Sequence, residues 1–285
     1  MILHIILKIK LTKSTSNCEE FVLNESSFAG LKLSSFCLCS CSDIKNIILK
    51  APTTSCMLDD LPTHIFKKHI DLFLPYLTDL INKCLSSGHF PSAFKHAVVK
   101  PLLKKESLDE SDIKNYRPVS NLSFISKIVE QIVAKQLLFH LTANSLLPMC
   151  QSGYRQFHST ETALLEITSE LYASMDEQKV SLLALLDMTA AFDCVDHALL
   201  LRKLSGVYGI SDTVKLWFDS YLPGRTQQVM FAKTLSMVDD VSFGVPRGSV
   251  LGPILFILYT SDVFRIIEKF GFKVHAFADD IQIIK

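Results

Sequence analysis

Apolar and polar positions follow helical spacing along much of the chain after residue 58. From Ile65 to Leu85 apolar residues recur near helical spacing, and the stretch Ser-Ser-Gly-His-Phe-Pro ends the run. Pro75 lies inside this run and is expected to kink or divide the helix. Ser123 is a predicted N-cap. Further helices are predicted in SFISKIVEQIVAKQLLFHL, STETALLEITSELYASM, HALLLRKLSGVYG, DTVKLWFDSYLPG and SVLGPILFILYTSDVFRIIEKFG.

Extended segments lie between these helices. AVVKPLLKK is predicted as a strand that Pro101 confines to a sheet edge, whereas KNYRPVSNLS is predicted as a loop. SLLALLD is short and apolar, which indicates a strand buried on both faces. RTQQVMFA, VDDVSFGV, KVHAF and IQIIK are also predicted strands. Residues 1–57 show no long amphipathic period, so we expect a poorly organised leader or linker. Helices and strands do not alternate regularly, which indicates an α+β fold.

Composition narrows the class of protein. The chain has 285 residues, of which 48% are hydrophobic and 20% are charged, so it can bury a sizeable core. Lys+Arg and Asp+Glu are both 29, and this neutrality argues mildly against nucleic acid unless the charges are segregated by region. The opening MILHIILKIK lacks a basic first segment and a cleavage site, which favours an intracellular protein. The apolar run VLGPILFILY is too short for a membrane helix.

Acidic residues supply the candidate chemistry. Asp279 and Asp280 lie between two strand-like runs, and an ordinary acidic turn is one interpretation. Asp187 closes the predicted buried strand SLLALLD, where a carboxylate is costly unless something pairs with it. Carboxylates that converge from separate strand ends suit Mg²⁺, which takes waters and substrate phosphates as further ligands. Two such ions can support phosphoryl transfer, although the spacing alone is not specific.

Three ordered blocks make the chain resemble a known family. LLDMTAAFDCVDH, GVPRGSVLGPILFILY and FADD occur in this order and resemble the reverse transcriptases of non-LTR (LINE-type) retrotransposons, close to CR1/L2-like lineages. The resemblance extends upstream through NYRPVSNLSFISKIVEQIV and QSGYRQFHSTETALL and covers roughly residues 50–285. It implies a right-hand polymerase fold over residues 58–285, with fingers and an antiparallel palm sheet flanked by helices. Residues 1–57 would be the connecting segment, and the domain would end after the Asp-Asp hairpin without a thumb.

The resemblance also implies a reaction. Asp187, Asp279 and Asp280 match the catalytic, metal-binding aspartates of an RNA-directed DNA polymerase. Two Mg²⁺ ions, or Mn²⁺, would support attack of a DNA primer 3′-hydroxyl on a dNTP opposite an RNA template. The alternatives are a catalytically inactive retroelement remnant that at most binds nucleic acid, and a metal-dependent nuclease that uses the same carboxylates. Family members act at chromosomal targets, which implies a nuclear location. The resemblance implies no membrane partner and leaves the oligomeric state open.

Substrate-binding roles are implied for residues around the aspartates. Phe192 would lie under the nucleotide sugar and exclude a 2′-hydroxyl, with a core phenylalanine as the alternative. Gly248 would let the backbone approach nucleotide and template, and Arg247 stands where the family usually has Gln. Asp193 and Asp196 are predicted to cap the following helix.

Three further cations fall in regions that resemble the fingers. Arg117, Lys127 and Arg155 would hold template or triphosphate phosphates, with ordinary surface cations as the alternative.

Overall fold

The computed structural model describes residues 28, 30–54, 56–155, 157–188, 191–232 and 234–285. Helices and strands are intermixed along the chain without regular alternation. The helices are α1 (Cys41–Lys50), α2 (Thr63–Lys68), α3 (Ile70–Ser87), α4 (Phe124–Ala143), α5 (Thr160–Asp176), α6 (His197–Gly206), α7 (Asp212–Tyr221) and α8 (Gly252–Lys269). The strands are β1 (His96–Leu103), β2 (Tyr116–Asn121), β3 (Leu183–Asp187), β4 (Arg225–Phe231), β5 (Thr234–Leu235), β6 (Asp239–Val241), β7 (Lys273–Phe277) and β8 (Asp280–Ile284).

Helix α1 corrects the expectation for residues 1–57. Residues 1–27 lie outside the described part, but residues 41–50 are helical. Ser40 and Asp43 form a capping box at the start of α1, and Ile44 and Ile48 are buried on one face. The expectation of a poorly organised segment therefore does not hold for residues 41–50.

The apolar run from Ile65 to Leu85 forms two helices that divide at His69, not at Pro75. Pro75 lies inside α3, where it leaves the carbonyl of Asp71 without its usual helical partner. Asp71 and Pro75 are both exposed, so water can hydrate that carbonyl and the helix continues past the proline. The predicted N-cap Ser123 is confirmed, since its side chain accepts a hydrogen bond from the Ser126 N–H.

One sheet has the order β2-β1-β4-β5, and β6 also pairs with β4. The prediction of a loop for KNYRPVSNLS is wrong, because β2 lies within it and pairs antiparallel with β1. Pro101 and Pro118 face each other in this pair, so two residues that lack an N–H share one position. The prediction that β1 is an edge strand is wrong, because β1 lies between β2 and β4. Its pairing with β4 covers only His96–Val99, so among the described strands Pro101 has β2 alone beside it.

The second sheet has the order β3-β8-β7 and is antiparallel throughout. The predicted hairpin of KVHAF and IQIIK is therefore confirmed as β7 and β8. The prediction that β3 is buried on both faces is wrong: Leu185 is 70% exposed and Leu186 is 46% exposed. In the described part of the chain β3 is an edge strand, so β8 is its only strand neighbour.

The buried side chains form two clusters. The main core contains Trp217, which is fully buried and packs against the rings of Phe36, Phe90 and Tyr221. A second cluster of four buried residues lies at the hairpin sheet: Phe264, Val274, Ala276 and Ile281. Helix α8 contributes to both clusters and so connects the hairpin sheet to the main core. None of the helices in the described residues is long and apolar enough to span a membrane.

Candidate active site

The acidic turn lies where β8 begins. In the antiparallel register Asp187 of β3 lies directly opposite Asp280 of β8. Phe277 also pairs with Asp280, so Ala278 and Asp279 form the turn between β7 and β8. Ala278 has φ +58°, an uncommon conformation for a residue with a side chain. The register thus brings the three predicted aspartates to one end of the hairpin sheet.

Electrostatics reflect this convergence. The pKa of the Asp280 carboxyl is raised by partial desolvation and then by the negative charges of Asp279 and Asp187. Asp187 and Asp280 are both solvent exposed, so their carboxylates are open to a ligand. The argument that Asp187 is costly at the end of a buried strand is therefore wrong. The convergence of like charges is what marks the site.

The aspartate carboxylates could supply only part of a cation's ligand shell. In the described part of the chain no three Asp, Glu, His or Cys side chains form a group that could hold a metal ion by themselves. Mg²⁺ usually binds through one or two carboxylates and completes its shell with waters and substrate phosphates. Facing carboxylates at Asp187 and Asp280, with Asp279 adjacent, fit such an oxygen-rich, incomplete set.

The Pro246–Ser249 loop docks on the first sheet. The Ser120 N–H of β2 donates to the Arg247 carbonyl at 2.7 Å. Gly248 has φ +108°, and a Cβ there would stand 2.6 Å from the Ser120 carbonyl oxygen. The close approach that Gly248 permits in this structure is therefore to the β2 backbone. An approach to nucleotide or template stays a prediction.

Arg247 contacts the segment that follows Asp187. Its guanidinium lies 3.5 Å from the Asp193 carboxylate and 5.8 Å from the centre of the Phe192 ring. Burial raises the pKa of Asp193, and Arg247 opposes that change. The prediction that Asp193 caps a helix is wrong, because its carboxylate pairs with Arg247 instead. Asp196 is the N-cap of α6 as predicted and accepts a hydrogen bond from the Leu199 N–H at 2.7 Å.

Phe192 lies in the main core. It is 9% exposed and stacks on Phe256 with ring centres 4.8 Å apart. This placement agrees with the alternative interpretation of Phe192 as a core phenylalanine. A contact with a nucleotide sugar stays a prediction.

The three remaining candidate cations occupy different settings. Arg155 Nη1 donates to the carbonyls of Pro148 at 2.9 Å and Gln151 at 3.2 Å. Arg117 is exposed on β2, and Lys127 is half-buried in the first turn of α4. Arg155 thus has a structural role near the hairpin sheet, and phosphate binding by all three residues stays a prediction.

Sequence reasoning missed the residues that contact the acidic turn. Gln151 hydrogen-bonds to the backbone of Ala278, and Gly153 packs against that residue. The pKa of the Tyr154 phenol is raised by burial and by the charge of Asp279, and Arg247 opposes the change. The motif QSGYR contains these residues, but the resemblance implies a role only for its arginine.

Facing carboxylates that leave room for waters and phosphates suit a cation such as Mg²⁺. The family described as "Reverse transcriptase (RNA-dependent DNA polymerase)" matches residues 103–285. The chain belongs to this reverse transcriptase family, and the predicted fold class, α+β with sheets flanked by helices, is confirmed.

Curated relatives show the same resemblance. The "RNA-directed DNA polymerase from mobile element jockey" of Drosophila melanogaster is 29% identical over 248 residues, which cover 85% of this chain and 27% of the relative. The "Probable RNA-directed DNA polymerase from transposon BS" of the same organism is 31% identical over 219 residues, 73% of this chain and 23% of the relative. The predicted resemblance to LINE-type reverse transcriptases is confirmed, and the chain spans about a quarter of these relatives' length.

A solved structure has a more distant likeness. The "Structure of apo telomerase from Candida Tropicalis truncated from C-terminal domain" is 14% identical, with a TM-score of 0.47, and the match covers 67% of this chain and 44% of that chain. The family assignment rests on the sequence matches.

Proposed function

We propose that the chain is the RNA-directed DNA polymerase domain of a LINE-type retroelement. It would extend a DNA primer on an RNA template and use dNTPs as substrates. The observation that carries the proposal is the register that sets Asp187 opposite Asp280, with Asp279 in the adjoining turn, in a chain of the reverse transcriptase family.

The carboxylates of Asp187, Asp279 and Asp280 would hold two Mg²⁺ ions, or Mn²⁺. When bound, such ions supply positive charge that stabilises the attacking and leaving oxygens of nucleotidyl transfer. The β3–β8 pairing keeps two of the carboxylates opposite each other. Because the pKa of Asp280 is raised, acidification would protonate this ligand at a higher pH than an ordinary aspartate. Cation binding would weaken over the same range of pH.

Neighbouring residues would handle the nucleic acid. Arg247 could exchange its contact with Asp193 for a template phosphate, since an arginine binds either anion through the same N–H groups. Phe192 would form the wall of the nucleotide-sugar pocket on the side of the main core. Arg117 and Lys127 would contribute positive charge where the template enters.

Primer extension on an RNA template with Mg²⁺ tests the proposal. Asp280→Asn keeps the size of the side chain but removes a charged ligand, so we expect the rate to fall at least about 100-fold. Asp240→Asn is the matched control, because Asp240 is also an exposed strand aspartate and lies opposite Thr226 of β4. Equal extension by the wild type and both variants would show that the site is assigned wrongly.

A second candidate function is nucleic-acid binding without catalysis. It is favoured by Arg247, which stands where the family usually has Gln and would disturb template positioning while still binding a phosphate. It predicts salt-sensitive RNA binding and no nucleotide incorporation. Incorporation that depends on Asp280 would rule it out. Labelled RNA or DNA that stays intact with Mg²⁺ in the same assay would rule out the nuclease alternative.

A further inference from the structure

A buried glutamine side chain holds the acidic turn. Gln151 is 0% exposed; its Oε1 accepts a hydrogen bond from the Ala278 N–H at 2.9 Å, and its Nε2 donates to the Ala278 carbonyl at 3.0 Å. Oε1 also accepts from the Gly153 N–H at 2.8 Å. Two N–H donors on one amide atom require that atom to be the oxygen. One side chain therefore satisfies both backbone groups of the residue before Asp279.

Backbone contacts surround this amide. The Ala276 N–H donates to the Cys150 carbonyl at 2.8 Å, and the Ser152 N–H donates to the Ala276 carbonyl at 2.8 Å. Residues 150–152 thus lie beside β7 as an added strand would, with Gln151 paired in parallel to Ala276. The segment that carries Gln151 is fixed to the same hairpin that its side chain holds.

Gly153 closes the contact by its small size. A Cβ at Gly153 would lie 2.3 Å from the Ala278 nitrogen and 2.8 Å from the Ala278 Cα. The φ of Gly153 is outside the left-handed region, so space and not conformational freedom is what requires glycine here. Any side chain at this position would have to displace the turn.

The contacts of Gln151 and Gly153 support a turn whose backbone conformation is unfavourable by itself. Ala278 has φ +58°, which is unfavourable for a residue with a Cβ unless its surroundings impose it. Without the Gln151 amide, the turn would be free to relax towards a lower-energy conformation. Relaxation would move Asp279 and the start of β8 relative to Asp187.

We propose that Gln151 and Gly153 are positioning residues of the acidic site, which hold Asp279 and Asp280 in register with Asp187 through the backbone of Ala278. This inference rests on the proposed polymerase function. Their contacts with the acidic turn are to the Ala278 backbone. Their loss should therefore lower kcat and cation affinity and leave KM for the dNTP within about twofold.

Four variants separate positioning from folding. Gln151→Ala removes both hydrogen bonds to Ala278, whereas Gln151→Glu keeps the volume and an acceptor oxygen but loses the donor. Gly153→Ala adds only the methyl group that would meet Ala278. Gly206→Ala is its matched control, because a Cβ there meets nothing within 4 Å and the φ of Gly206 is also outside the left-handed region. Fluorescence of Trp217, the only tryptophan, reports folding of the main core in every variant.

Two measurements on the full chain decide the outcome: primer extension kinetics and the dissociation constant of Mn²⁺ added alone. We expect Gln151→Ala and Gly153→Ala to lower kcat by about 10- to 100-fold and to weaken Mn²⁺ binding by about tenfold. Gln151→Glu would place a buried carboxylate oxygen against the Ala278 carbonyl and should lower both quantities at least as much as Gln151→Ala, and Gly206→Ala should equal the wild type.

The outcomes distinguish this inference from the proposed function. If the wild type extends primers and folded Gln151→Ala and Gly153→Ala extend them at the wild-type rate, positioning is refuted and the polymerase assignment stands. If the wild type binds Mn²⁺ but extends no primer, the proposed function fails, and weaker Mn²⁺ binding by the two variants still supports positioning. A wild-type chain that neither binds Mn²⁺ nor extends primers overturns both.

Discussion

At the scale of single residues, the facing carboxylates of Asp187 and Asp280 oppose folding. Like charges directly opposite each other across antiparallel strands destabilise the pair. We expect Asp187→Asn to raise the free energy of unfolding near neutral pH by about 0.2–0.5 kcal/mol. Urea unfolding followed by Trp217 fluorescence measures this change, and Asp240→Asn, opposite a threonine, should show no gain.

The pH dependence of that gain has a definite sign. The pKa of Asp280 is raised in the folded state, so its charge costs stability at neutral pH and this cost disappears as the pH falls below the ordinary aspartate value. The advantage of Asp187→Asn should therefore shrink between about pH 7 and about pH 4. A variant that is less stable than the wild type at neutral pH would contradict the proposed repulsion.

The sequence predicted some residue roles better than others. The convergence of Asp187, Asp279 and Asp280 was predicted because their order along the chain matches a family pattern, although β3 and β8 are distant in sequence; their catalytic role stays a prediction. Gln151 was missed because its contact with Ala278 joins positions 127 residues apart, and no local pattern specifies such a contact. Asp193 was predicted as a cap for a similar reason, since its partner Arg247 comes from a distant loop.

At the scale of elements, a buried carboxylate joins helix α4 to the start of helix α8. Glu130 is fully buried, and its Oε2 accepts hydrogen bonds from the Val250 N–H at 2.6 Å and the Leu251 N–H at 3.2 Å. These N–H groups directly precede α8, whose own N-cap residue makes no side-chain cap. A carboxylate from another helix thus caps these two N–H groups, while the Ser249 hydroxyl accepts a hydrogen bond from the Gly252 N–H at 2.9 Å.

Glu130→Ala should cost about 2–5 kcal/mol of unfolding free energy, because it leaves two buried N–H groups without an acceptor. Burial raises the pKa of Glu130, whereas Arg225 and the two N–H groups oppose this change. Glu130→Gln keeps an acceptor oxygen without a buried charge and should cost about 1–2 kcal/mol. Glu106→Ala, at an exposed position, is the control and should change little. Equal losses for the Ala and Gln variants would show that the hydrogen bonds do not carry the effect.

Helices were predicted more accurately than strands for a physical reason. A helix such as α4 forms its backbone hydrogen bonds within its own segment, and the N-cap Ser123 marks where it begins. Its sequence pattern is therefore local. Strand β2 contains Pro118 and polar residues that are typical of a loop, and only β1 makes it a strand. Strand β3 has the apolar composition of a buried strand, yet its exposure depends on which neighbours the sheet provides.

At the scale of the whole molecule, the candidate site lies on the hairpin sheet, which is less buried than the main core. The main core joins helices α1–α4 and α6–α8, whereas the hairpin sheet rests on four buried residues, with β3 exposed along its apolar side chains. Regions with few buried apolar contacts open locally before the molecule unfolds. The candidate site should therefore be the part of the fold whose order depends most on what binds there.

Hydrogen exchange followed by mass spectrometry tests this division. Amides of β3 and β8 should exchange faster than those of α4 and α7, which lie in the main core. Because a cation held by Asp187 and Asp280 would bridge β3 and β8, Mn²⁺ should slow exchange in these strands and leave α4 and α7 unchanged. Asp280→Asn should lose that protection and Asp240→Asn should keep it. Uniform protection by Mn²⁺ across the chain, or the same response in both variants, would show that the cation binds elsewhere.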